Sequence, residues 1–307
     1  MSKIVAFANA KGGVGKTTLA LSMAEASAYL GKTTLLIDLD LQINASITLA
    51  GDCIDDMLPW RRGQTIEDYL EERWHGRVPT PLNYIDRSQR VHLLSGSPSI
   101  TFFERRVLVW RDTVFEARNC VNFWMLDVLR TARQHYDLIV CDTPPGLSLL
   151  AESAIKSADL IVVPQIPDRL STQGLQRYAK YFQEDLELSD VAHRTVVFIN
   201  MFDVRTDVAE TYAEAIRRES KLPIFPYRVF ENQYKAKVAF KEAMDISRTK
   251  RFEEVWSSVD SDVLAATREL WKFLGWIEGE GAANETGTSG IGSGAASGRK
   301  RKVTSGT

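Results

Sequence analysis

The chain has 307 residues, of which 44% are hydrophobic and 25% are charged, and its formal net charge is -2 at pH 7. This length and composition allow a full-size buried core, and they favour one large domain over two equal ones. The near-neutral charge excludes a polycation, so any contact with nucleic acid must come from a local basic patch.

The cysteines and the absence of membrane signals predict the compartment. Cys53, Cys120 and Cys141 are far apart and lack C-x-x-C spacing, which argues against a disulfide framework or a zinc site. The N-terminus has no basic-then-apolar secretion signal, and no run of about 18 apolar residues is present. We therefore expect a cytoplasmic protein without a membrane-spanning helix.

A glycine-rich loop follows the first predicted strand, at residues 4–7, and precedes a helical stretch. Such a loop lets backbone N–H groups and the helix N-terminus converge on an anion. Lys16 would then neutralise the β- and γ-phosphates of a nucleotide, and the Thr17 hydroxyl would bind Mg²⁺. The alternative is a tight strand-to-helix connection without a ligand. The predicted nucleotide contacts in this loop are Lys11, Gly12, Gly13, Val14, Gly15, Lys16, Thr17 and Thr18.

Two carboxylates stand at the end of the second predicted strand, residues 33–38. Strand, helix and strand within about 40 residues predict a right-handed βαβ unit and therefore a parallel sheet. Asp38 and Asp40 alternate along the chain, so both can face the phosphate site across the carboxyl edge of the sheet. Loop solvation or helix capping is the alternative for this pair.

A third apolar strand, residues 136–142, ends in Asp142. A carboxylate in that position beside a phosphate loop is what a Walker B element needs to hold Mg²⁺, directly or through water. The alternative is that Asp142 only caps the turn before Pro144. With the upstream residues, the predicted metal ligands are Thr17, Asp38 and Asp142.

Strands and helices continue to alternate through the second half of the chain. Strands are predicted at 160–163 and 195–199, with helices at 149–157 and 171–186. The alternation predicts a single α/β domain with a doubly wound, mostly parallel sheet and helices on both faces, as in P-loop NTPases. Asn200 follows a strand, where its amide can contact an adenine edge or merely form a turn.

The remaining segments give fewer signals. A capping box at Thr65 predicts a short helix, and residues 91–94 predict a short strand. An edge strand is expected at 222–227, and a closing helix at 255–273 ends the domain that we place at residues 1–277. The Gly/Ser-rich tail, residues 278–307, ends in a basic cluster and is expected to be disordered. Four tryptophans are expected to form a satellite core rather than a ligand site: Trp60, Trp74, Trp110 and Trp124.

Three motifs carry a resemblance to a known family. K-G-G-V-G-K-T at 11–17 resembles the deviant Walker A loop of the ParA/MinD family of dimeric ATPases. D-L-D-L-Q-I-N-A-S at 38–46 resembles that family's D-x-D-P-Q-x-N-x-[ST] segment, with Leu41 in place of proline and Ile43 in place of glycine. Y-D-L-I-V-C-D-T-P-P at 136–145 matches the family's pattern without a break. The resemblance covers roughly residues 3–275.

The resemblance implies a switch driven by ATP and Mg²⁺. Lys11 would reach across a homodimer to the partner's nucleotide, and Asp40 would position or activate the attacking water. Both are therefore the catalytic candidates, and the resemblance also supports Asn200 as an adenine contact. A lysine that does not help to hold the phosphates of its own subunit acts best when it approaches a phosphate from another direction. Hydrolysis would therefore depend on the association of two subunits.

Within that family the ParA branch is the best fit. It implies an ATP-bound dimer that binds double-stranded DNA nonspecifically on the nucleoid, with hydrolysis stimulated by a ParB-like centromere-binding or adaptor protein. The cargo would be a plasmid, a chromosome or a protein cluster. Nonspecific binding needs several cations on one face, although a solvated surface is the alternative for these charges. The candidate DNA contacts are Arg205, Lys235, Lys237, Lys241, Arg248, Lys250 and Arg251.

Two other functions stay open at this point. A MinD-like ATPase that cycles on membranes would need a terminal amphipathic helix with a basic face, whereas Glu278 and Glu280 follow the last predicted helix. We therefore expect no membrane contact. A metabolic P-loop enzyme, such as an amide-bond-forming synthetase, would instead require a small-molecule acceptor for turnover.

Overall fold

The structure is a computed structural model of the chain. It describes residues 1–50, 65–77, 85–87, 91–146, 148–184, 186–222, 226–246, 248 and 250–277. The predicted tail at 278–307 lies outside the described residues, as do Trp60 and Cys53.

In the described part of the chain, a single eight-stranded sheet forms the centre of the fold. Its strands are β1 (Lys3–Phe7), β2 (Thr34–Asp38), β3 (Ile85–Arg87), β4 (Val91–Leu94), β5 (Leu138–Asp142), β6 (Leu160–Gln165), β7 (Thr195–Ile199) and β8 (Arg228–Val229). Their order in the sheet is β3-β4-β2-β5-β1-β6-β7-β8. The seven strands other than β3 are parallel, and β3 pairs antiparallel with β4 at one edge.

Helices cover both faces of this sheet. They are α1 (Lys16–Tyr29), α2 (Asn44–Ala50), α3 (Ile66–Trp74), α4 (Ile100–Trp110), α5 (Val114–Ala132), α6 (Leu149–Ser157), α7 (Arg169–Glu184), α8 (Val191–Arg194), α9 (Asp207–Glu219), α10 (Val238–Asp245), α11 (Phe252–Trp256) and α12 (Asp260–Phe273). Side chains from α3 to α9 fill one core, and those of α1 and α10 to α12 fill the other. The predicted doubly wound α/β fold is confirmed.

The strand sequences explain why two cores form. Successive side chains of a strand point to opposite faces, and along β1 Ile4 and Ala6 belong to one core while Val5 and Phe7 belong to the other. A strand covered on both sides must be apolar throughout. Accordingly, every residue of β2, β5, β6 and β7 is buried.

The register of the central strands fixes the position of the functional site. Phe7 at the end of β1 pairs with Asp142 at the end of β5. Asp38 at the end of β2 pairs with the same Asp142. The carboxyl ends of three neighbouring strands therefore meet at one edge, where open α/β sheets bind ligands.

Two predicted elements differ from the structure. The predicted edge strand at 222–227 lies partly outside the described residues, and the strand that the structure describes at this edge is Arg228–Val229. Tyr227, just before it, is tied to the end of α9. Its N–H donates to the Ser220 carbonyl at 3.2 Å, and its hydroxyl donates to the Ile216 carbonyl at 2.9 Å. The single closing helix is divided at Ser257, whose φ of 21° interrupts the helical backbone between α11 and α12.

The least informative part of the sequence contains a pair of helices that was predicted only in part. The sequence pattern predicts a helix over residues 122–135, whereas α5 begins at Val114, and α4 was not predicted. The capping box at Thr65 is confirmed. Trp74 packs with Trp124 in the core, as predicted, whereas Trp110 is 45% exposed. Among the described residues, none of the helices has the length and apolar character needed to span a bilayer.

Candidate nucleotide-binding site

The glycine-rich loop joins β1 to α1 in a conformation that leaves its amides available. Gly13 and Gly15 have φ values of 73° and 85°, in the left-handed region that favours glycine. A Cβ atom at Gly15 would collide with the Asn200 side chain. Among the described residues no side chain caps the N-terminus of α1. Its first N–H groups are thus free to bind an anion.

Lys16 lies inside this loop and has no anionic hydrogen-bond partner there. Its Nζ donates to the carbonyl oxygens of Asn9 at 3.3 Å and Lys11 at 3.4 Å. Burial lowers the pKa of Lys16, and the carboxylates of Asp142 and Asp40 partly oppose that shift. A buried ammonium held only by carbonyl groups favours a nearby anion. This arrangement suits a phosphate in the loop.

Asp142 is the most unusual group in the site. It is completely buried, and neither carboxylate oxygen has a hydrogen-bond partner among the described residues. Burial raises its pKa well above the ordinary value, the charge of Asp38 adds to the rise, and Thr17 lies close enough to oppose it. Oxygen ligands of this kind are those that Mg²⁺ prefers. Thr17 and Asp142 therefore fit a magnesium site beside the loop.

Asp38 differs from Asp142 because protein donors already occupy its oxygens. Oδ2 accepts from the Ser46 amide at 2.8 Å and from the Ser46 hydroxyl at 2.7 Å. Oδ1 accepts from the Asp40 amide at 3.1 Å. Ser95 on the neighbouring segment donates to the Ser46 hydroxyl at 2.8 Å. Burial raises the pKa of Asp38 to about 6 despite these hydrogen bonds, and the geometry gives Asp38 a role in orienting residues 38–46.

Asp40 lies in a tight turn that leads into α2. It is buried, and its Oδ1 accepts from the Gln42 amide at 2.9 Å. Ile43 closes the turn by donating its N–H to the Asp40 carbonyl at 2.9 Å. Ile43 has a φ of 49°, which a β-branched residue rarely adopts. The family's motif has glycine at this position, and the backbone conformation of Ile43 favours glycine as well.

Lys11 does not point toward the phosphate site of its own chain. Its Nζ lies 2.9 Å from Asp168 Oδ2 and 2.9 Å from Ser171 Oγ, at the start of α7. The Ser171 amide in turn donates to Asp168 Oδ1 at 2.7 Å. Sequence reasoning missed Asp168 and Ser171. Their D-x-x-S spacing at a helix start was the available signal, because a carboxylate there accepts an amide three residues later.

Asn200 contacts the loop itself. Its Nδ2 donates to the Val14 carbonyl at 2.8 Å, and its backbone N–H donates to the Gln165 carbonyl at 2.8 Å. The side chain is buried. In this structure Asn200 therefore supports the phosphate-binding loop, and an adenine contact stays a prediction.

The candidate DNA-binding cations lie mainly near the end of β7. Phe202 exchanges backbone hydrogen bonds with the segment after β8, accepting from Ala236 at 2.9 Å and donating to Tyr234 at 2.9 Å. This pairing places Lys235 opposite Phe202, which precedes Arg205 by three residues. Arg205 is exposed and forms two hydrogen bonds of 2.8 Å with Asp203, and Lys237 pairs with Asp262 at 2.7 Å.

Arg248 is a correction to the sequence interpretation. Its guanidinium is buried, and its Nε donates to Glu25 Oε1 at 2.9 Å. Glu25 also accepts from the Trp256 indole at 2.8 Å. An arginine enclosed in this network cannot reach a DNA phosphate, so Arg248 is removed from the candidate surface. Lys241, Lys250 and Arg251 are exposed.

Comparison with known proteins places this site in a family. The AAA domain family, AAA_31, matches residues 2–189. The chromosome partitioning protein ParA of Myxococcus xanthus is 27% identical over 281 residues, which cover 89% of each chain. A Borrelia burgdorferi structure described as a plasmid partition protein bound to AMPPNP has a TM-score of 0.63 at 19% identity. It covers 89% of this chain and 98% of that one.

The same fold also occurs in a protein with a metabolic name. The Mycobacterium smegmatis cobyrinic acid a,c-diamide synthase with bound ADP and magnesium has a TM-score of 0.60 at 22% identity. The match covers 80% of this chain and 93% of that one, and it shows a common fold. Together with the family match and the curated relative, the geometry leads to one conclusion. The chain belongs to the AAA domain family AAA_31, and its sequence is similar to partitioning proteins of the ParA/Soj type.

Proposed function

We propose that the chain hydrolyses ATP with Mg²⁺ and uses the nucleotide to switch between a monomer and a DNA-binding homodimer that partitions or positions a cargo. The observation that carries the proposal is the buried carboxylate of Asp142, which has no hydrogen-bond partner among the described residues and lies beside the glycine-rich loop that contains the buried Lys16. Mg²⁺ would stabilise the charge of Asp142, and a nucleotide phosphate would stabilise the charge of Lys16. The ATPase domain is assigned to residues 1–277.

Each residue of the site has a separate part in the proposed reaction. The loop amides and Lys16 bind the phosphates, and Thr17 with Asp142 holds the metal. When bound, Mg²⁺ supplies a Lewis acid that neutralises charge on the phosphate oxygens. Asp40 orients the attacking water, and the short turn through Ile43 keeps its carboxylate in position. Asp38 keeps this segment in place through Ser46.

Lys11 is proposed to act on the nucleotide of the partner subunit. Its ammonium is 39% exposed and is held by Asp168, away from its own loop. A cation that approaches the phosphates of a second subunit stabilises transition-state charge in the manner of an arginine finger. Hydrolysis would then require the dimer, which makes ATP a switch for assembly.

Nonspecific DNA is the proposed ligand of the dimer. Arg205, Lys235 and Lys237 belong to the two segments that pair at Phe202 and Lys235, and dimerisation would double the number of cations that face a duplex. Phosphate contacts alone carry no base sequence information. Lys241, Lys250 and Arg251 complete the proposed surface. We further propose that the protein acts on the nucleoid in the cytoplasm, and that a ParB-like centromere-binding or adaptor protein stimulates hydrolysis.

A direct experiment compares the wild-type protein with Lys16→Ala. Calorimetry with Mg²⁺ and ATP should show binding to the wild type and none to the variant. The wild type should also release phosphate slowly, and duplex DNA should accelerate release in combination with the partner protein. Unchanged ATP affinity in Lys16→Ala would show that the loop is not the phosphate site. Turnover that depends on a small-molecule acceptor would favour a metabolic enzyme instead.

A further inference from the structure

Three buried side chains form a line of hydrogen bonds beside the proposed reaction site. Asp38 Oδ2 accepts from the Ser46 hydroxyl at 2.7 Å, and the Ser46 hydroxyl accepts from the Ser95 hydroxyl at 2.8 Å. All three residues are completely buried, and we call this line the serine relay. Ser95 is 49 residues further along the chain than Ser46, so the motif at 38–46 gives no indication of its part.

The sheet brings Ser95 next to Asp38. Strands β2 and β4 are parallel neighbours, and the last pair in their register is Ile37 with Leu94. Asp38 and Ser95 come directly after that pair, so they lie side by side. The following residue, Gly96, is so close that a Cβ atom there would be 2.7 Å from the Asp38 carbonyl oxygen. The turn after β4 is therefore packed directly against the end of β2.

The Ser95 hydroxyl has one proton and two acceptors within reach. Ser46 Oγ lies at 2.8 Å and the Gly96 carbonyl oxygen at 2.6 Å. When Ser95 donates to Ser46, the Ser46 proton is left for Asp38. When Ser95 donates to Gly96, the Ser46 hydroxyl can turn toward Ser95, and Asp38 loses a donor. The charge on Asp38 favours the first arrangement, because a hydrogen bond to an ionised group is stronger than one between neutral groups.

Asp38 uses both carboxylate oxygens to hold the segment that contains Asp40. Its Oδ1 accepts from the Asp40 amide at 3.1 Å, and its Oδ2 accepts from the Ser46 amide at 2.8 Å. One carboxylate thus fixes both ends of the segment. The Asp40 side chain lies between these ends, where its Oδ1 accepts from the Gln42 amide at 2.9 Å. A rotation of the Asp38 carboxylate would therefore displace the backbone that carries Asp40.

The backbone of Ser95 is fixed from the other side by α3. The Ser95 carbonyl accepts from the amide of Ile66, the first residue of α3, at 2.9 Å. Removal of the Ser95 hydroxyl would therefore leave the turn in place and take away only the donor to Ser46. A serine in the first turn of a helix can then turn its hydroxyl to a nearby backbone carbonyl. Ser46 occupies such a position in α2.

We propose that Ser95 is a positioning residue for ATP hydrolysis, acting through Ser46 and Asp38 to keep the Asp40 carboxylate where it orients the attacking water. This inference rests on the proposed function for the reaction and for the role of Asp40. Ser95 belongs neither to the phosphate-binding loop nor to the proposed magnesium site. Its loss should therefore slow hydrolysis and leave the affinity for ATP unchanged.

The test measures one round of hydrolysis at protein, Mg²⁺ and ATP concentrations that saturate the wild type. Ser95→Ala should lower the rate constant by about threefold to tenfold, the effect of one lost hydrogen bond. Its affinity for ATP, measured by calorimetry, should change by less than about twofold. An unchanged rate, or a loss confined to ATP affinity, would overturn the proposal.

Ser95→Cys separates the donated proton from the volume of the side chain. A thiol fills the space of the hydroxyl but is a weak donor, so this variant should be as slow as Ser95→Ala. A wild-type rate in Ser95→Cys would show that only the volume matters, which would contradict the proposal. If Ser95→Ala does not fold, Ser95→Cys replaces it in every measurement.

A double-mutant cycle tests whether Ser95 acts through Ser46. Ser46→Ala should slow hydrolysis at least as much as Ser95→Ala, because it removes the group that contacts Asp38. Adding Ser95→Ala to Ser46→Ala should change the rate by less than about twofold, since the intermediate group is already missing. If the effects of the two substitutions multiply, the serine relay does not transmit the effect of Ser95.

Ser153→Ala is the matched control. Ser153 is also completely buried, and its hydroxyl donates to the Leu149 carbonyl at 2.8 Å within α6. This variant should keep the wild-type rate of hydrolysis. A loss of rate as large as that of Ser95→Ala would show that any missing buried hydroxyl slows the reaction, and would overturn the specific role of Ser95.

Hydrogen exchange by NMR without nucleotide measures the positioning itself. The amides of Gln42, Ile43 and Ser46 are hydrogen-bonded within the segment 38–46. In Ser95→Ala their exchange should accelerate by at least about threefold, whereas the amides of β1 and β5 should keep their rates. Unchanged exchange in this segment would overturn the proposal even if hydrolysis were slower.

The hydrolysis measurements also distinguish this inference from the proposed function. A wild-type protein that binds ATP without hydrolysing it would refute the proposed function and the role of Ser95 together. A wild-type protein that hydrolyses ATP at the same rate as Ser95→Ala would refute the role of Ser95 alone.

Discussion

Lys11 and Asp168 form an ion pair of 2.9 Å that connects the phosphate-binding loop to the start of α7. Two hydrogen bonds from Ser171 and Lys11 outweigh partial burial and lower the pKa of Asp168. The carboxylate therefore stays charged at neutral pH and retains the lysine. In the proposed dimer this pair must open before Lys11 can reach the partner's nucleotide.

Asp168→Asn is expected to favour the dimer. A half-exposed ion pair is worth about 1 kcal/mol or less, and two such pairs open in each dimer, so the dimer affinity in Mg²⁺ and ATP should increase by at most about thirtyfold. Sedimentation velocity over a range of protein concentrations measures this affinity. Lys11→Ala is the paired variant and should bind ATP but hydrolyse it poorly. A dimer weakened by tenfold or more in Asp168→Asn would contradict the competition between the two positions of Lys11.

Asp40→Ala is expected to separate assembly from hydrolysis. Asp40 is not part of the loop that would hold the phosphates, so the variant should bind ATP normally. Without a group to orient the attacking water, it should accumulate as an ATP-bound dimer, which light scattering after size exclusion detects. Leu41→Ala, at the exposed neighbouring residue, is the control for changes in the loop itself. A monomeric Asp40→Ala protein in saturating Mg²⁺ and ATP would refute this role.

The backbone at Ile43 predicts an inverted order of stability between two variants. At a buried position inside a helix, such as Val107 of α4, alanine is more stable than glycine by about 1 kcal/mol. At Ile43, with a φ of 49°, glycine should be more stable than alanine by about 1 kcal/mol, because only glycine adopts this conformation without strain. Urea unfolding of the four variants gives both differences. The same order at both positions would show that Ile43 is not strained.

The raised pKa values of Asp38 and Asp142 predict how stability depends on pH. Burial raises the pKa of Asp38 from 3.8 to about 6, and it raises the pKa of Asp142 well above its ordinary value. A carboxyl group whose pKa is higher in the folded state stabilises the fold when protonated. The free energy of unfolding of the metal-free protein should therefore fall as pH rises from about 4 through 6 and above.

Asp142→Asn should remove part of this pH dependence. Near neutral pH it should stabilise the nucleotide-free and metal-free protein by about 1 to 3 kcal/mol, because an unpaired buried charge is replaced by a neutral amide. It should also abolish the stabilisation that Mg²⁺ and ATP give to the wild type. Asp203→Asn is the control, since the Asp203 carboxylate pairs with Arg205 and has a pKa lowered to about 2. Thermal unfolding that shows Asp142→Asn to be less stable than the metal-free wild type would contradict the prediction.

Much of the central fold could be predicted because its signals are local. The apolar runs of β1, β2 and β5, the glycines of the loop, and Asp142 at a strand end are each readable within about ten residues. The same holds for the closing helix, except at Ser257, where a φ of 21° interrupts the helix. Helix α4 and the first part of α5 were missed because exposed Phe, Val and Trp residues obscure the helical periodicity.

The contacts within the site depend on residues far apart in sequence. The partner of Lys11 is Asp168, and the partner of Arg248 is Glu25. Sequence position gives no information about such pairs. The basic segment after residue 235 therefore seemed uniformly exposed, although one of its arginines is part of the core. Conversely, the sequence alone showed that Ile43 stands where the resembling family has glycine. The φ of 49° at Ile43 explains why glycine is favoured at this position.

The central claim is that ATP produces a dimer that binds any duplex through its phosphates. Fluorescence anisotropy on two unrelated duplexes, with and without ATP, tests it most directly. We expect equal affinity for both duplexes only with ATP, falling linearly in log K against log salt. Affinity should be lost equally on both duplexes in the variant Arg205→Glu, Lys237→Glu and Lys241→Glu, which should still bind ATP. Binding without ATP, a strong preference for one duplex, or loss of affinity on deleting residues 278–307 alone would contradict the account.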